Sequence, residues 1–311
     1  MIPRLIALAF ALLALGGCVT YPDITQSRSP CQGEPGGWCG FVRGAAVESY
    51  PYAIAATNAY QGDSDLFGDT GSRLVMIDRL PIAPEDAKTG FDYQLFALYG
   101  DDDAGRNGAV PVARIVAFRG TDFDGVADVF YGTLRSDQID IARRYFTAER
   151  ERFDDAAAWH VAGHSMGGAL ATEISIAYPD VRAWLFNLSP FYRGESDINA
   201  ANRTLINERG EALRTLRKFR SDPAADVFII NCRPQKSRFS KHSVRKLADC
   251  LTWIAAYESD DALGVVRANV IAKPDVECGP PDKPHPGHTP APHPVCAHQS
   301  RPDKVPDPAA D

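Results

Sequence analysis

Trp159-His160-Val161-Ala162-Gly163-His164-Ser165-Met166-Gly167-Gly168-Ala169-Leu170-Ala171-Thr172-Glu173-Ile174 decides how this chain is read. Residues 159–162 form a short apolar run suited to a buried strand. Residues 168–174 suit a helix whose first turn carries only small side chains. Between them lies Gly-x-Ser-x-Gly. A serine on a sharp strand-to-helix turn is held in a strained conformation with its hydroxyl presented. Only glycine-sized neighbours two before and two after let the chain pass so closely. The first N–H groups of the helix then point at the site, where they favour a developing oxyanion. Ser165 is therefore the candidate nucleophile, and the Met166 amide is one candidate oxyanion donor.

On both sides of this turn, strand-like and helix-like segments alternate. Phe91–Tyr99 alternates in polarity as a strand does, and three aspartates, Asp101–Asp103, mark a turn after it. Val112–Phe118 is nearly continuous in apolar residues, the mark of a strand buried on both faces. Asp137–Arg152 places Ile141, Ala142, Tyr145 and Phe146 on one side of a helix. Further strands are expected at 183–188, 204–207 and 227–231. Helices are expected at Glu48–Tyr60, starting near Pro51, at Glu211–Phe219, and from His242 to about Tyr257. This pattern predicts an α/β fold, a mostly parallel central sheet with helices on both faces, and a Gly-x-Ser-x-Gly elbow on such a sheet points to the α/β-hydrolase type. The domain is expected to span residues 45–272.

A serine nucleophile needs a base within hydrogen-bond reach. The chain has seven histidines. His160 lies inside the strand, His164 is expected to point away from the pocket, and four belong to the C-terminal tail. His242, which follows the last strand by a loop, is the candidate base. The chain order serine, acid, histidine places the acid between Ser165 and His242. A carboxylate just past the penultimate strand would reach the far nitrogen of the histidine, so Glu211 is the first candidate and Glu208 the second. Glu195, Asp197, Asp222 and Asp226 remain behind them. The second oxyanion donor is expected from an upstream strand end, where Phe118-Arg119-Gly120-Thr121 offers the amide and hydroxyl of Thr121. Such a site needs no metal or organic cofactor.

The two ends read differently. Arg4 precedes an eleven-residue apolar run, Leu5–Leu15, too short to span a bilayer and right for a secretory signal. The run ends in Leu15-Gly16-Gly17-Cys18, which is similar to a bacterial lipobox. That resemblance implies cleavage after residue 17, a lipidated Cys18, and a tether over residues 18–44. A lipid-anchored protein of the bacterial cell envelope follows, with Val19 leaning toward the outer membrane. Loss of residues 1–17 removes one arginine and no acid, so the net charge goes from −7 to −8. That charge, with no basic stripe, argues against nucleic acid as a partner. Six further cysteines in an oxidising compartment suggest three disulfides, with neighbour pairing Cys31–Cys39, Cys232–Cys250 and Cys278–Cys296. Residues 273–311 hold 11 of the 23 prolines and four histidines, His285, His288, His293 and His298. They read as an extended, solvated spacer and not as a metal site.

Phe118-Arg119-Gly120-Thr121 followed by Gly163-His164-Ser165-Met166-Gly167-Gly168-Ala169-Leu170-Ala171 resembles the paired signature of the class 3 lipases and their relatives. Phe186-Asn187-Leu188-Ser189-Pro190 is similar to the family's next strand and its polar end. The resemblance covers about residues 45–260. It implies an esterase or lipase acting on lipid, phospholipid or small carboxylic esters. Two features depart from the family pattern: its acid is usually Asp where this chain offers Glu211, and Asp128 is followed by Val129 and not by Trp. The sequence shows no unmistakable lid; Phe123–Gly132 is the one candidate stretch for it. A membrane-anchored binding protein that keeps the scaffold without turnover is the alternative.

Overall fold

A computed structural model describes residues 29–31, 33–61, 65–101, 108–120, 136–217, 222–234 and 236–277. The signal segment, Cys18, Thr121, the stretch 123–132 and the Pro/His-rich residues from 278 onward lie outside the described residues. Seven strands form one sheet in spatial order β1 to β7. They are β1 (Leu74–Ile77), β2 (Tyr93–Leu98), β3 (Ala113–Phe118), β4 (Ala158–His164), β5 (Arg182–Phe186), β6 (Arg203–Glu208) and β7 (Asp226–Ile230). The pairs β1–β2 and β2–β3 are antiparallel, and β3 through β7 run parallel. This is the mostly parallel sheet, with helices on both faces, expected from the apolar strand runs.

Every residue of β2, β3 and β6 is buried, because helices cover both faces. Alternation along each strand divides the core. Ile115, Ala117, Ala162, Trp184, Phe186 and Ile206 face one layer, built by α1 (Gly40–Asn58), α4 (Val244–Ala255) and α5 (Asp260–Ala268). Val116, Phe118, Val161, Leu185 and Leu205 face the other, built by α2 (Ser136–Glu151) and α3 (Met166–Ala177). The register His164↔Phe186↔Ile206, with Glu208 opposite Ile230, brings the C-terminal ends of β4, β5 and β6 side by side. In open parallel sheets ligands bind beyond these ends.

The structure moves several expected boundaries. Helix α1 starts at Gly40, inside the stretch read as tether, and keeps Pro51 within it. An interior proline costs a helix roughly 3 kcal/mol. Here burial of Tyr50, Tyr52, Ala53, Ile54 and Ala56 against the sheet and α4 offsets that cost. In the described part of Glu211–Phe219 only Arg214–Arg217 is helical, and Glu211 sits in the turn before it. Helix α4 starts at Val244, capped by the Ser243 hydroxyl, which accepts from the Lys246 amide. His242 ends a short 3-10 turn ahead of that cap. Beyond α5 the chain stays packed as far as residue 277. Glu277, four residues beyond Lys273, is buried and accepts from the indoles of Trp38 (2.8 Å) and Trp253 (2.9 Å) and from the Tyr257 hydroxyl. Burial raises its carboxyl pKa, and the three donors offset part of that rise.

Two of the three expected disulfides lie in the described residues and are formed: Cys31–Cys39 and Cys232–Cys250. Cys278–Cys296 lies outside them. Among the described residues, no helix is long and apolar enough to cross a membrane.

Candidate active site

Ser165 stands between β4 and α3 at φ 54°, ψ −120°, a conformation that L-residues avoid. The surroundings hold it there. Its amide donates to the Phe186 carbonyl (3.0 Å), and its carbonyl accepts from the amides of Ala169 (3.3 Å) and Ser189 (3.1 Å). A Cβ on Gly163 would lie 2.2 Å from the Gly167 backbone, and one on Gly167 would lie 2.1 Å from the Phe118 carbonyl oxygen. The two glycines of the motif are thus required by contact between β4, α3 and the end of β3. Met166 opens α3, so its amide belongs to the positive end of a twelve-residue helix. Thr121 lies outside the described residues.

Glu211 and His242 meet. The carboxylate Oε2 accepts from His242 Nδ1 at 2.6 Å, with the histidine 2% and the glutamate 1% exposed. Oε2 also accepts from the Leu213 amide at 2.8 Å, and Oε1 accepts from the Arg217 guanidinium. Arg217 in turn donates to the Leu188 carbonyl at 2.7 Å. Burial alone would raise the Glu211 carboxyl pKa. The hydrogen bond from His242 and the charge of Arg217 outweigh it and hold the group below the usual carboxylate range. An ionised carboxylate on Nδ1 fixes the imidazole tautomer and leaves Nε2 as the nitrogen able to take a proton. Arg217 escaped the sequence reading. Its only signal is a spacing of six residues from Glu211, and that spacing acquires meaning only because the chain turns between them.

Glu208, the second candidate acid, has another task. Its carboxylate accepts from the amides of Cys232 (3.1 and 3.2 Å) and Arg233 (3.1 Å), at the start of the loop that carries His242. Burial pushes its pKa up to about 7 against the opposing effect of those two amides. The same loop is tied by Arg233 donating to the Ser240 carbonyl (2.8 Å) and by Lys241 Nζ donating to the carbonyls of Arg209 (3.1 Å) and Pro234 (3.3 Å). The Cys232–Cys250 disulfide closes it onto α4. Of the six candidate acids, Glu211 is the one whose carboxylate meets His242 Nδ1 at 2.6 Å.

His164 does not simply point away from the site. Its ring is buried with its centroid 4.7 Å from that of His242, and Nε2 lies 2.7 Å from the His242 carbonyl oxygen. Its Nδ1 lies 3.1 Å from the Tyr60 hydroxyl. Burial first, and the nearby His242 second, hold its pKa well below the usual imidazole range. His160, inside β4 as expected, meets the Tyr52 hydroxyl at 2.7 Å, and burial lowers its pKa to about 4.

No protein-family model and no curated protein matches the chain. Among solved structures it is similar to a mutant form of MDLA from Penicillium cyclopium, at 14% identity and TM-score 0.40, covering 66% of this chain and 86% of that one. It is also similar to a lipase from Rhizopus microsporus var. chinensis, at 12% identity and TM-score 0.39, covering 62% and 77%. A third is lipase II from Rhizopus niveus, at 13% identity and TM-score 0.36, covering 57% and 77%.

Proposed function

We propose that the chain is a serine hydrolase of carboxylic esters, with Ser165 as nucleophile, His242 as general base and Glu211 as the acid that orients it. The observation that carries this reading is the buried 2.6 Å contact between Glu211 and His242 Nδ1, in a chain that also holds Ser165 at positive φ on the β4–α3 turn. In the first step His242 Nε2 takes the Ser165 proton and Oγ bonds to the ester carbonyl carbon. The carbonyl oxygen gains the negative charge, facing the Met166 amide and, in this proposal, Thr121. Collapse breaks the bond to the alkoxy oxygen, which leaves with the proton from His242. Water then repeats the sequence on the acyl-enzyme, returning Ser165 and releasing the carboxylic acid. Glu211 remains ionised throughout and stabilises the imidazolium that forms twice in each cycle. Each step is completed by these side chains and by water.

Lipid or phospholipid esters are the proposed substrates, and Cys18 is the proposed anchor holding the enzyme at a cell-envelope membrane. Two considerations support this: the paired motifs around Phe118 and Ser165, and the short apolar leader that ends at a cysteine. Turnover of p-nitrophenyl esters of increasing acyl length, beside phospholipid vesicles, tests the reading. Activity rising with chain length supports it. Wild-type protein without turnover on any of them favours a binding role for the scaffold.

A further inference from the structure

The loop bearing His242 is gripped at two successive peptide units by side chains from the ends of two neighbouring strands. His164, the last residue of β4, sits 2.7 Å from the His242 carbonyl oxygen. A carbonyl only accepts, so His164 Nε2 must carry the hydrogen. In the neutral ring Nδ1 then accepts from the Tyr60 hydroxyl at 3.1 Å. Asn187, the first residue beyond β5, takes the left-handed φ of 42° and is fully buried. Its Nδ2 donates to the Lys241 carbonyl (3.3 Å), and its Oδ1 accepts from the Glu208 amide (2.8 Å). Tyr60 itself is fitted closely. A Cβ on Gly120 would lie 2.3 Å from its hydroxyl and 2.6 Å from the His164 carbonyl oxygen.

We propose that His164 and Asn187 form a two-point clamp on the main chain of the base, and that they are positioning residues for His242. This rests on the roles assigned above to Ser165, His242 and Glu211. His164 is bonded covalently to Ser165, so its contact fixes the base relative to the nucleophile. Asn187 joins the base loop to the end of β6, which leads into the turn holding Glu211, so its contact fixes the base relative to the acid. Together the two bonds hold the peptide planes on both sides of the His242 Cα and leave the imidazole little room to rotate out of line. Neither side chain touches the reacting atoms in this scheme.

The test compares His164→Leu, which loses both ring contacts, with His164→Gln, which keeps a donor for the carbonyl and an acceptor for Tyr60. Asn187→Gly joins them, because glycine tolerates the positive φ while losing both bonds. A displacement of about 1 Å near reacting groups can cost about 100-fold in rate. H164L is expected to lower kcat 10- to 100-fold with KM changed less than twofold, and H164Q to recover most of that loss. N187G is expected to lower kcat about 10-fold on the same pattern. The proton between His242 Nδ1 and Glu211 supplies a readout independent of turnover. Its far-downfield NMR signal is expected to be sharp in wild type and broadened by exchange in H164L and N187G. Folded H164L and N187G that keep kcat within twofold and retain the sharp signal would overturn the clamp. So would an H164Q variant as impaired as H164L. Wild-type protein without turnover would count against the hydrolase reading alone, and the NMR comparison would still decide the clamp.

Discussion

Replacing Glu211 by Gln changes one oxygen to an amide nitrogen without changing the shape of the side chain. The structure gives the carboxylate three donors, His242 Nδ1 at 2.6 Å, the Leu213 amide at 2.8 Å and the Arg217 guanidinium. A glutamine amide has one acceptor oxygen, so one of its two ends must present N–H groups to a donor. If that end faces His242, the imidazole is driven toward the tautomer with its hydrogen on Nε2, which cannot take the serine proton. In a serine triad the corresponding amide substitution costs about 10⁴ in kcat, and we expect E211Q to lose about 10³ to 10⁴ with little change in KM. It also leaves the guanidinium of Arg217, only 11% exposed, without its carboxylate. Breaking a buried pair in this way costs roughly 3–5 kcal/mol. Because the native carboxyl pKa lies below its unfolded value, Glu211 binds fewer protons in the folded state. The stability it contributes is complete above the unfolded value of about 4.3 and fades as pH falls through the lower native one. Ester hydrolysis, with urea denaturation at pH 7 and pH 4, reads all three effects. An E211Q enzyme keeping more than a tenth of wild-type kcat would refute the orienting role. So would an E208Q enzyme that lost as much kcat as E211Q, since Glu208 holds backbone amides and not the imidazole.

Glu208 should show the opposite pH behaviour. Its pKa of about 7 exceeds the unfolded value, so it destabilises the fold increasingly as pH rises from about 4.5 to 7, by about 4 kcal/mol at most, and E208Q should flatten that part of the stability profile. Unfolding free energies of both proteins across this range check the sign; a wild-type curve that rises there where E208Q stays flat would contradict it. Gly163→Ala puts a methyl 2.2 Å from the Gly167 backbone and should abolish activity together with a large loss of melting temperature, measured by circular dichroism. Replacing both Cys232 and Cys250 by Ala opens an 18-residue span that contains His242. The expected cost is about 3 kcal/mol of stability and a lower kcat, read by denaturation and ester turnover side by side.

What the sequence shows of the fold and the site depends on whether the signal is local. The elbow is legible because Gly-x-Ser-x-Gly is a local pattern: the clash that forbids a side chain at Gly163 is with Gly167, inside the same five residues. The central strands are legible because burial on both faces demands unbroken apolar runs such as Ala183–Phe186. Chain order and strand ends put Glu211 ahead of Glu208 and left both open; the contact of Glu211 with His242 Nδ1 depends on the turn after β6. Strand β1 is not legible, because it is a four-residue edge strand whose Val75 and Met76 face solvent. The first turns of α1 were hidden by Pro51, a local breaker overridden by packing. The contacts of His164, Asn187 and Arg217 depend on which residues the parallel register sets side by side, information that no single segment carries.

Treatment of the folded protein with a fluorophosphonate, followed by peptide mass spectrometry, tests the account most directly. A covalent adduct on Ser165, absent from S165A and strongly diminished in H242A, is the predicted result. An unmodified Ser165 in folded wild-type protein would contradict it.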